Sequence, residues 1–159
     1  MVEAQKKKIL LVEDEDDSRI LMAKKLEQSG YKVFQACHGL EGIQAAEDHC
    51  PDLIITDVVM PKMNGNEFVS VLRQRPLLKD IPIIVMSIRG NMRDYFERLG
   101  VNEFLSKPFL PKELVSAVDQ FFNRSAGIRD TGLEVKRVLI AGSDSECIGL
   151  LGEHVRSLG

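Results

Sequence analysis

The sequence predicts an α/β fold, built as a doubly wound, five-stranded parallel sheet with helices on both faces and a C-terminal βα extension. Short apolar runs rich in β-branched residues alternate with helix-length amphipathic segments, which is the pattern of repeated βα units. Some of these runs, such as LIIT at Leu53–Thr56 and IIVM at Ile83–Met86, are apolar on both faces. Such runs are typical of interior strands that helices cover on both sides.

Five strands and five helices follow from this alternation. The predicted strands are Ile9–Val12, Lys32–Ala36, Leu53–Thr56, Ile83–Met86 and Glu103–Leu105. The predicted helices are Asp16–Gln28, Leu40–Asp48, Asn66–Gln74, Asn91–Leu99 and Pro111–Phe122. Gly30 and Gly100 stand where the first and fourth helices should end, since glycine readily takes the left-handed conformation found there. Pro111 suits the first position of the last helix.

The composition excludes two classes of partner. With 24 acidic and 21 basic residues, the net charge of the 159-residue chain is -3, so no basic field favours nucleic acid. No apolar run approaches the roughly 20 residues that span a bilayer, and no apolar segment follows the N-terminal lysines. We therefore expect no nucleic-acid or membrane binding by this chain, and a cytoplasmic location. His38, His49 and His154 match no metal or phosphotransfer pattern, so surface positions or core packing are expected for them.

Polar residues follow four of the predicted strands directly. Glu13 and Asp14 follow the first strand, and Asp57 follows the third. Ser87 follows the fourth strand, and Lys107 comes shortly after the fifth. Because ligands bind outside the carboxyl ends of the strands in an open parallel sheet, we expect these five side chains to converge.

This set of residue types indicates phosphoryl chemistry. Three carboxylates in one pocket would repel one another and raise a pKa unless a cation shared them. Mg²⁺ is the natural partner, since it binds oxygen ligands and leaves other positions to water or phosphate oxygens. Lys107 and Ser87 would then supply a charge and a hydroxyl to phosphoryl oxygens. Each residue alone could merely cap a helix or turn, but their convergence at four strand ends favours a phosphoryl acceptor at Asp57.

Four motifs in order carry a resemblance to a known family. They are LLVEDE at Leu10–Glu15, DVVMPKMNG at Asp57–Gly65, VMS at Val85–Ser87 and FLSKPF at Phe104–Phe109. With them, the stretch from Lys7 to Asn123 closely resembles the receiver domain of two-component response regulators. The resemblance implies a flavodoxin-like sheet with the strand order 2-1-3-4-5.

The resemblance also implies a role for each residue of the pocket. Asp57 would accept a phosphoryl group from a sensor histidine kinase, a phosphotransfer protein or a small phosphodonor. Asp14 and Asp57 would ligate Mg²⁺ together with the backbone carbonyl of Val59, and Glu13 would act through a bound water. Lys107 would bond the acyl phosphate. The chain would catalyse this transfer to itself and yet be a signalling switch rather than an enzyme.

A switching mechanism is implied as well. Ser87 would move toward the phosphoryl group and the ring of Phe104 would change rotamer, although Phe104 could equally be an ordinary buried strand residue. These changes would alter the surface of the fourth helix and fifth strand, through which two copies of the chain would pair as a homodimer.

Two departures from the family pattern leave alternatives open. Ile88 and then Arg89 follow Ser87, where receivers usually have a small residue. Val59, two positions after Asp57, cannot orient an attacking water, so a long-lived phosphoryl group is expected. The chain could instead be a pseudo-receiver, a phosphorylation-independent interaction module. An aspartyl-phosphate phosphatase would normally have a second acidic residue two positions after its nucleophile, where this chain has Val59. A dinucleotide site would need a GxGxxG motif after the first strand, which this sequence lacks.

Three segments are predicted along the chain: a receiver domain over 1–123, a linker over 124–135 and a partial βα unit over 136–159. The linker is polar and contains two glycines. The last segment aligns with Lys7–Gly30 at a constant offset, apolar on apolar, but Gly142 and Ser143 replace the acidic pair. We expect a truncated receiver-like module that has lost its metal ligands. The alternative is a βα extension that packs on the receiver or exchanges with a second copy.

Overall fold

The computed structural model describes residues 4–88 and 92–128, in which strands and helices alternate. The strands are β1 (Lys8–Val12), β2 (Lys32–Ala36), β3 (Leu53–Asp57), β4 (Ile83–Ser87) and β5 (Glu103–Ser106). The helices are α1 (Asp16–Gln28), α2 (Gly39–His49), α3 (Gly65–Gln74), α4 (Arg93–Arg98) and α5 (Pro111–Ile128). The chain divides into two compact units, Met1–Ala117 and Val118–Gly159, with the boundary inside α5. The sheet and all site residues discussed below belong to the first unit.

The five strands form one parallel sheet in the order β2-β1-β3-β4-β5, as predicted. Within it, Leu10 of β1 pairs with Phe34 of β2 on one side and Ile54 of β3 on the other. Every residue of β3 and all but the last residue of β4 are buried, which confirms both as interior strands. The reversal of strand order at β1 puts helices on both faces and brings the carboxyl ends of β1 and β3 together at one edge.

Local signals place the ends of the helices. Gly30 after α1 and Gly100 after α4 have φ angles of 98° and 75°, so both predicted helix ends are confirmed. A capping box begins α3: the Asn64 side chain accepts from the Glu67 N–H, and the Glu67 side chain accepts from the Asn64 N–H. The capping box fixes the start of α3 directly after the turn that follows β3.

The guanidinium of Arg73 joins α3 to the end of α4. It donates to the carbonyl oxygens of Leu99 at 2.8 Å and Gly100 at 3.1 Å, just past α4. It also donates to Lys79 at 2.7 Å and Ile81 at 2.9 Å, in the loop before β4. The planar guanidinium of Arg73 therefore holds two loops and the C-terminal end of α4 in place through its N–H donors.

The last helix corrects one boundary of the prediction. The helix α5 spans Pro111–Ile128 and does not end at Phe122, so residues 124–128 of the predicted linker are helical. Ser125 fits into this helix because its hydroxyl donates to the carbonyl of Phe121 one turn earlier. The rest of the predicted linker and the predicted partial βα unit lie outside the described residues. No helix in the described part of the chain is long and apolar enough to cross a membrane.

Candidate functional site

Three carboxylates converge at the carboxyl edge of the sheet. Glu13 lies just after β1, Asp14 is next to it, and Asp57 is the last residue of β3. One oxygen from each lies within 4.8 Å of the others. Glu13 and Asp57 are only 1% and 8% exposed, whereas Asp14 is exposed. This set of hard oxygen donors fits Mg²⁺, and the open side at Asp14 leaves room for waters in the other coordination positions.

Lys107 brings a cation into the same cluster. Its Nζ donates to Asp57 Oδ2 at 2.6 Å and to Glu13 Oε2 at 2.9 Å. A cis peptide bond joins Lys107 to Pro108, and the Lys107 N–H donates to the Ser87 carbonyl at the end of β4. The ammonium therefore bridges two carboxylates at the ends of different strands.

The second oxygen of Asp57 is held by the backbone. Its Oδ1 accepts from the N–H of Val58 at 2.6 Å and from the N–H of Val59 at 3.3 Å. With Lys107 on Oδ2, both carboxylate oxygens have hydrogen-bond donors. The orientation of the carboxylate is therefore fixed at the end of a buried strand.

The turn after β3 has an unusual backbone. Lys62 takes the left-handed conformation with a φ of 64°. Gly65 allows a close approach between the start of α3 and the end of β3. A Cβ at position 65 would lie 2.3 Å from the Asp57 carbonyl oxygen and 2.8 Å from the Val58 Cα. Only a glycine leaves space for the backbone that carries Asp57.

Burial and charge shift two pKa values in the cluster. The pKa of Glu13 is raised because burial disfavours its charged form, and the nearby Asp57 carboxylate adds to this effect. For Lys107, burial works against the charged form, but hydrogen bonds to Asp57 and Glu13 outweigh it and raise the pKa. The ammonium therefore stays charged while it faces the carboxylates.

Ser87 and Phe104 line a cavity between α4 and β5. Its other lining residues are Met92, Arg93, Phe96, Leu105 and Ser106. The Phe104 ring is partly buried, packs edge-on against Phe96 at 6.2 Å between centroids, and has the Arg93 guanidinium 5.2 Å from its centroid. The structure thus brings the two predicted switch residues to one cavity.

Two apolar side chains beside the site face solvent. Val59 is 74% exposed and Ile88 is 76% exposed. They directly follow Asp57–Val58 and Ser87, respectively. Neither side chain can donate or accept a hydrogen bond, so neither can orient a water next to the Asp57 carboxylate.

Some functional contacts have no signal in the sequence. The N–H groups that hold Asp57 Oδ1 belong to valines, and backbone donors have no characteristic residue letter. Arg19 was also missed: its Nη1 donates to the Glu13 carbonyl at 2.9 Å and ties the turn after β1 to α1. Among the histidines, His49 stacks on the ring of Phe34 with centroids 3.8 Å apart, which agrees with the packing role expected from the sequence. His38 is instead the N-cap of α2. His154 lies outside the described residues.

Comparisons with known proteins identify the family of the chain. The family model of the response regulator receiver domain matches residues 9–119. The chain is 38% identical over 121 residues to the alkaline phosphatase synthesis transcriptional regulatory protein PhoP of Bacillus subtilis, covering 75% of this chain and 50% of that protein. It is 32% identical over 120 residues to the phosphate regulon transcriptional regulatory protein PhoB of Escherichia coli, covering 74% and 52%. The chain thus spans about half the length of these curated relatives.

Solved structures give the same answer for the fold. The chemotaxis response regulator CheY4 of Vibrio cholerae matches with a TM-score of 0.69 and 30% identity, over 73% of this chain and 98% of that one. A putative response regulator from Chloroflexus aurantiacus matches with a TM-score of 0.67 and 32% identity, over 73% and 97%. Given the family match over residues 9–119 and the carboxylate–lysine cluster at the strand ends, this chain belongs to the response regulator receiver domain family.

Proposed function

We propose that this chain is a phosphorylation-controlled switch of a two-component phosphorelay, with Asp57 as the phosphoryl acceptor. One observation carries the proposal: the Lys107 ammonium lies between Asp57 Oδ2 and Glu13 Oε2, while backbone amides hold Asp57 Oδ1. The phosphoryl donor is a sensor histidine kinase, a phosphotransfer protein or a small phosphodonor. A fixed, buried carboxylate with a cation beside it suits reversible phosphorylation.

The transfer needs little chemistry beyond positioning and charge neutralisation. Asp57 Oδ2 attacks the phosphorus, the bond from phosphorus to the donor's nitrogen or oxygen breaks, and an acyl phosphate forms on Asp57. The pair of electrons from the broken bond leaves with the donor. Lys107 Nζ, already 2.6 Å from Oδ2, is placed to pair with the phosphoryl oxygens as negative charge arrives there.

The acidic cluster is the proposed Mg²⁺ site. Asp14, Asp57 and the backbone carbonyl of Val59 are the proposed ligands, and Glu13 acts through a bound water. A bound Mg²⁺ supplies Lewis-acid neutralisation of the phosphoryl oxygens. Glu13 is 1% exposed and already engaged by Lys107, which supports an indirect role rather than direct ligation.

The output of the switch is proposed to run through Ser87 and Phe104. The Ser87 hydroxyl moves toward the phosphoryl group and the Phe104 ring changes rotamer in the cavity that both residues line. The surface of α4 and β5 then changes, and we propose that two copies pair there. The chain is a signalling switch rather than an enzyme, and we propose a cytoplasmic location for it.

The first test is phosphorylation by acetyl phosphate and Mg²⁺, followed by intact-protein mass. We expect the mass of one added phosphoryl group in the parent chain and none in Asp57→Asn or with a chelator. Asp52→Asn is the matched control, since Asp52 lies just before the same strand and an amide can still accept from the Lys8 N–H. Phosphorylation of Asp52→Asn at the parent level would assign the adduct to Asp57.

A folded parent chain that gains no adduct, from acetyl phosphate or from a histidine kinase, would contradict the proposal. That result would favour the pseudo-receiver, in which the exposed Ile88 beside Ser87 blocks access and the chain acts by binding alone. Turnover of a free phosphate ester would instead indicate a phosphatase.

The exposed side chain of Val59 leads to a prediction about lifetime. We expect Val59→Asn to lose its phosphoryl group about tenfold faster than the parent, because one hydrogen bond to the attacking water is worth about 1.4 kcal/mol. Decay is measured as the rate of loss of the adduct mass after the donor is removed. Val59→Ala is the control, since it removes bulk without adding a hydrogen bond. Equal decay rates for Val59→Asn and Val59→Ala, or a parent half-life of seconds, would contradict this prediction.

A further inference from the structure

A second group of metal-binding side chains lies at the start of α2. The residues are Cys37, His38 and Glu41, and one ligand atom from each lies within 4.8 Å of the others. Cys37 and His38 are partly buried, Glu41 is exposed, and Cys37 is a free cysteine. These three side chains have no part in the proposed phosphoryl transfer, so their arrangement needs its own explanation.

A helix cap accounts for part of the arrangement. His38 is the N-cap residue, and its Nδ1 accepts from the Glu41 N–H at 3.2 Å. Glu41 Oε2 reaches back and accepts from the N–H of Cys37, the residue before the N-cap, at 2.7 Å. Neither of these two hydrogen bonds uses the Cys37 thiol. The Cys37 Sγ nevertheless lies 2.9 Å from the same carboxylate oxygen.

The imidazole of His38 is also poorly satisfied by its protein neighbours. Its Nδ1 faces the Glu41 N–H, and its Nε2 lies 3.3 Å from the Lys62 ammonium. A neutral imidazole can accept at only one nitrogen, so one of these two donors lacks an acceptor on the ring. The imidazole of His38 therefore faces a donor at each ring nitrogen, although it can accept a hydrogen bond at only one of them.

The donor types select one class of ion. A thiolate, an imidazole and a carboxylate are together typical of Zn²⁺, which often takes three protein ligands and a water. Mg²⁺ prefers oxygen ligands alone, so it is expected at the acidic cluster of Glu13, Asp14 and Asp57 and not at the start of α2. The two clusters therefore differ in ion preference.

We propose that Cys37, His38 and Glu41 form a Zn²⁺ site, with a water in the fourth position. The ion replaces the thiol proton of Cys37, which leaves to solvent, and it binds His38 Nδ1 in place of the Glu41 N–H. The Cys37 pKa is raised mainly by its hydrogen bond to the Glu41 carboxylate. Coordination reverses this effect, because Zn²⁺ stabilises the thiolate. The N-cap hydrogen bond is worth only about 1 kcal/mol, so its loss is a small cost beside three metal bonds.

The test uses Co²⁺ as a spectroscopic substitute for Zn²⁺. It is carried out on the full chain in a buffer that contains a phosphine reductant, which keeps the thiols reduced. We expect a thiolate-to-cobalt charge-transfer band that saturates at one ion per chain, is abolished by Zn²⁺ and is unaffected by excess Mg²⁺. Cys37→Ser should remove the band. Glu41→Gln and His38→Asn should weaken Co²⁺ binding by at least about 10- to 100-fold, since losing even a supporting residue costs that much. Asparagine keeps an N-cap acceptor, so His38→Asn separates ligation from helix capping.

Two controls make the assignment specific. Asp57→Asn alters the acidic cluster and Cys147→Ser removes another thiol, and both should keep the band and the Co²⁺ affinity of the parent. Absence of the band in the folded parent chain would overturn the proposal, as would a band that survives in Cys37→Ser. Unchanged affinity in both Glu41→Gln and His38→Asn would also overturn it. Because none of these readouts needs phosphorylation, they are independent of the proposed function.

Discussion

Replacing Lys107 with methionine should destabilise the protein by about 3 kcal/mol in the presence of a chelator. Lys107 is 22% exposed and faces the side chains of Glu13 and Asp57, which are 2% and 11% exposed. Its removal leaves two buried carboxylates without a cation, and breaking a buried ion pair costs about 3–5 kcal/mol. We expect a cost at the lower end of this energy range because the Lys107 side chain is partly exposed to solvent. The measurement is the free energy of unfolding by urea.

Mg²⁺ and pH should both change the extent to which Lys107→Met lowers the free energy of unfolding. Added Mg²⁺ should stabilise Lys107→Met more than the parent, since it neutralises the carboxylates without competing with an ammonium. The pKa of Glu13 is already raised by burial and by Asp57, and losing the Lys107 hydrogen bond raises it further. The folded variant then holds a proton that the unfolded chain has released. The destabilisation of Lys107→Met should therefore be smallest below pH 4.5, the pKa of Glu13 in the unfolded chain. It should grow as the pH rises toward the higher pKa of Glu13 in the folded variant.

Lys112→Met is the control for Lys107→Met, because Lys112 is an exposed lysine five positions later in the chain. Its unfolding free energy should stay within about 0.5 kcal/mol of the parent at every pH. A Lys107→Met protein as stable as the Lys112→Met protein in chelator would show that the ammonium does not stabilise the carboxylate cluster.

Gly65→Ala should destabilise the protein by about 3 kcal/mol and slow phosphorylation of Asp57. The new Cβ would lie 2.3 Å from the Asp57 carbonyl oxygen and 2.8 Å from the Val58 Cα, so backbone atoms must move. Overpacking costs about 1–3 kcal/mol, and the upper end applies because backbone cannot yield as a flexible side chain does. The Gly65 N–H to Val58 carbonyl hydrogen bond, now 2.8 Å, resists that movement. A displacement of 1 Å at a reacting group can reduce a rate about 100-fold.

Gly127→Ala is the matched glycine control. A Cβ there meets nothing within 4 Å, and alanine should stabilise the helix α5 by up to about 1 kcal/mol. Urea unfolding gives both stabilities, and the rate of adduct formation with acetyl phosphate and Mg²⁺ gives the effect on Asp57. If Gly65→Ala unfolds like the parent and is phosphorylated at the parent rate, the close approach at Gly65 has no energetic significance.

Patterns near each residue predicted the fold and the candidate residues. Apolar runs of strand length alternate with amphipathic segments, and that alternation allows only a few ways to bury both faces of a parallel sheet. The strand order, which the family resemblance implied, is the order found. Asp57 could be singled out because it is one of several polar residues that directly follow apolar strand runs, where ligands bind in a parallel sheet. The end of α5 was predicted too early because a polar, glycine-containing segment resembles a linker even where it remains helical.

The sequence by itself therefore determined the α/β class, the element order and the set of strand-end residues, because these depend on periodicity and on single residue types. Only the tertiary structure decided which of those residues touch. Lys107 reaches Glu13 and Asp57 across sequence separations of 94 and 50 residues. It also decided that Gly65 serves a close backbone approach while Lys62 takes the positive φ. Contacts of 2.6–2.9 Å depend on how distant segments pack against one another, and that packing has no period along the chain.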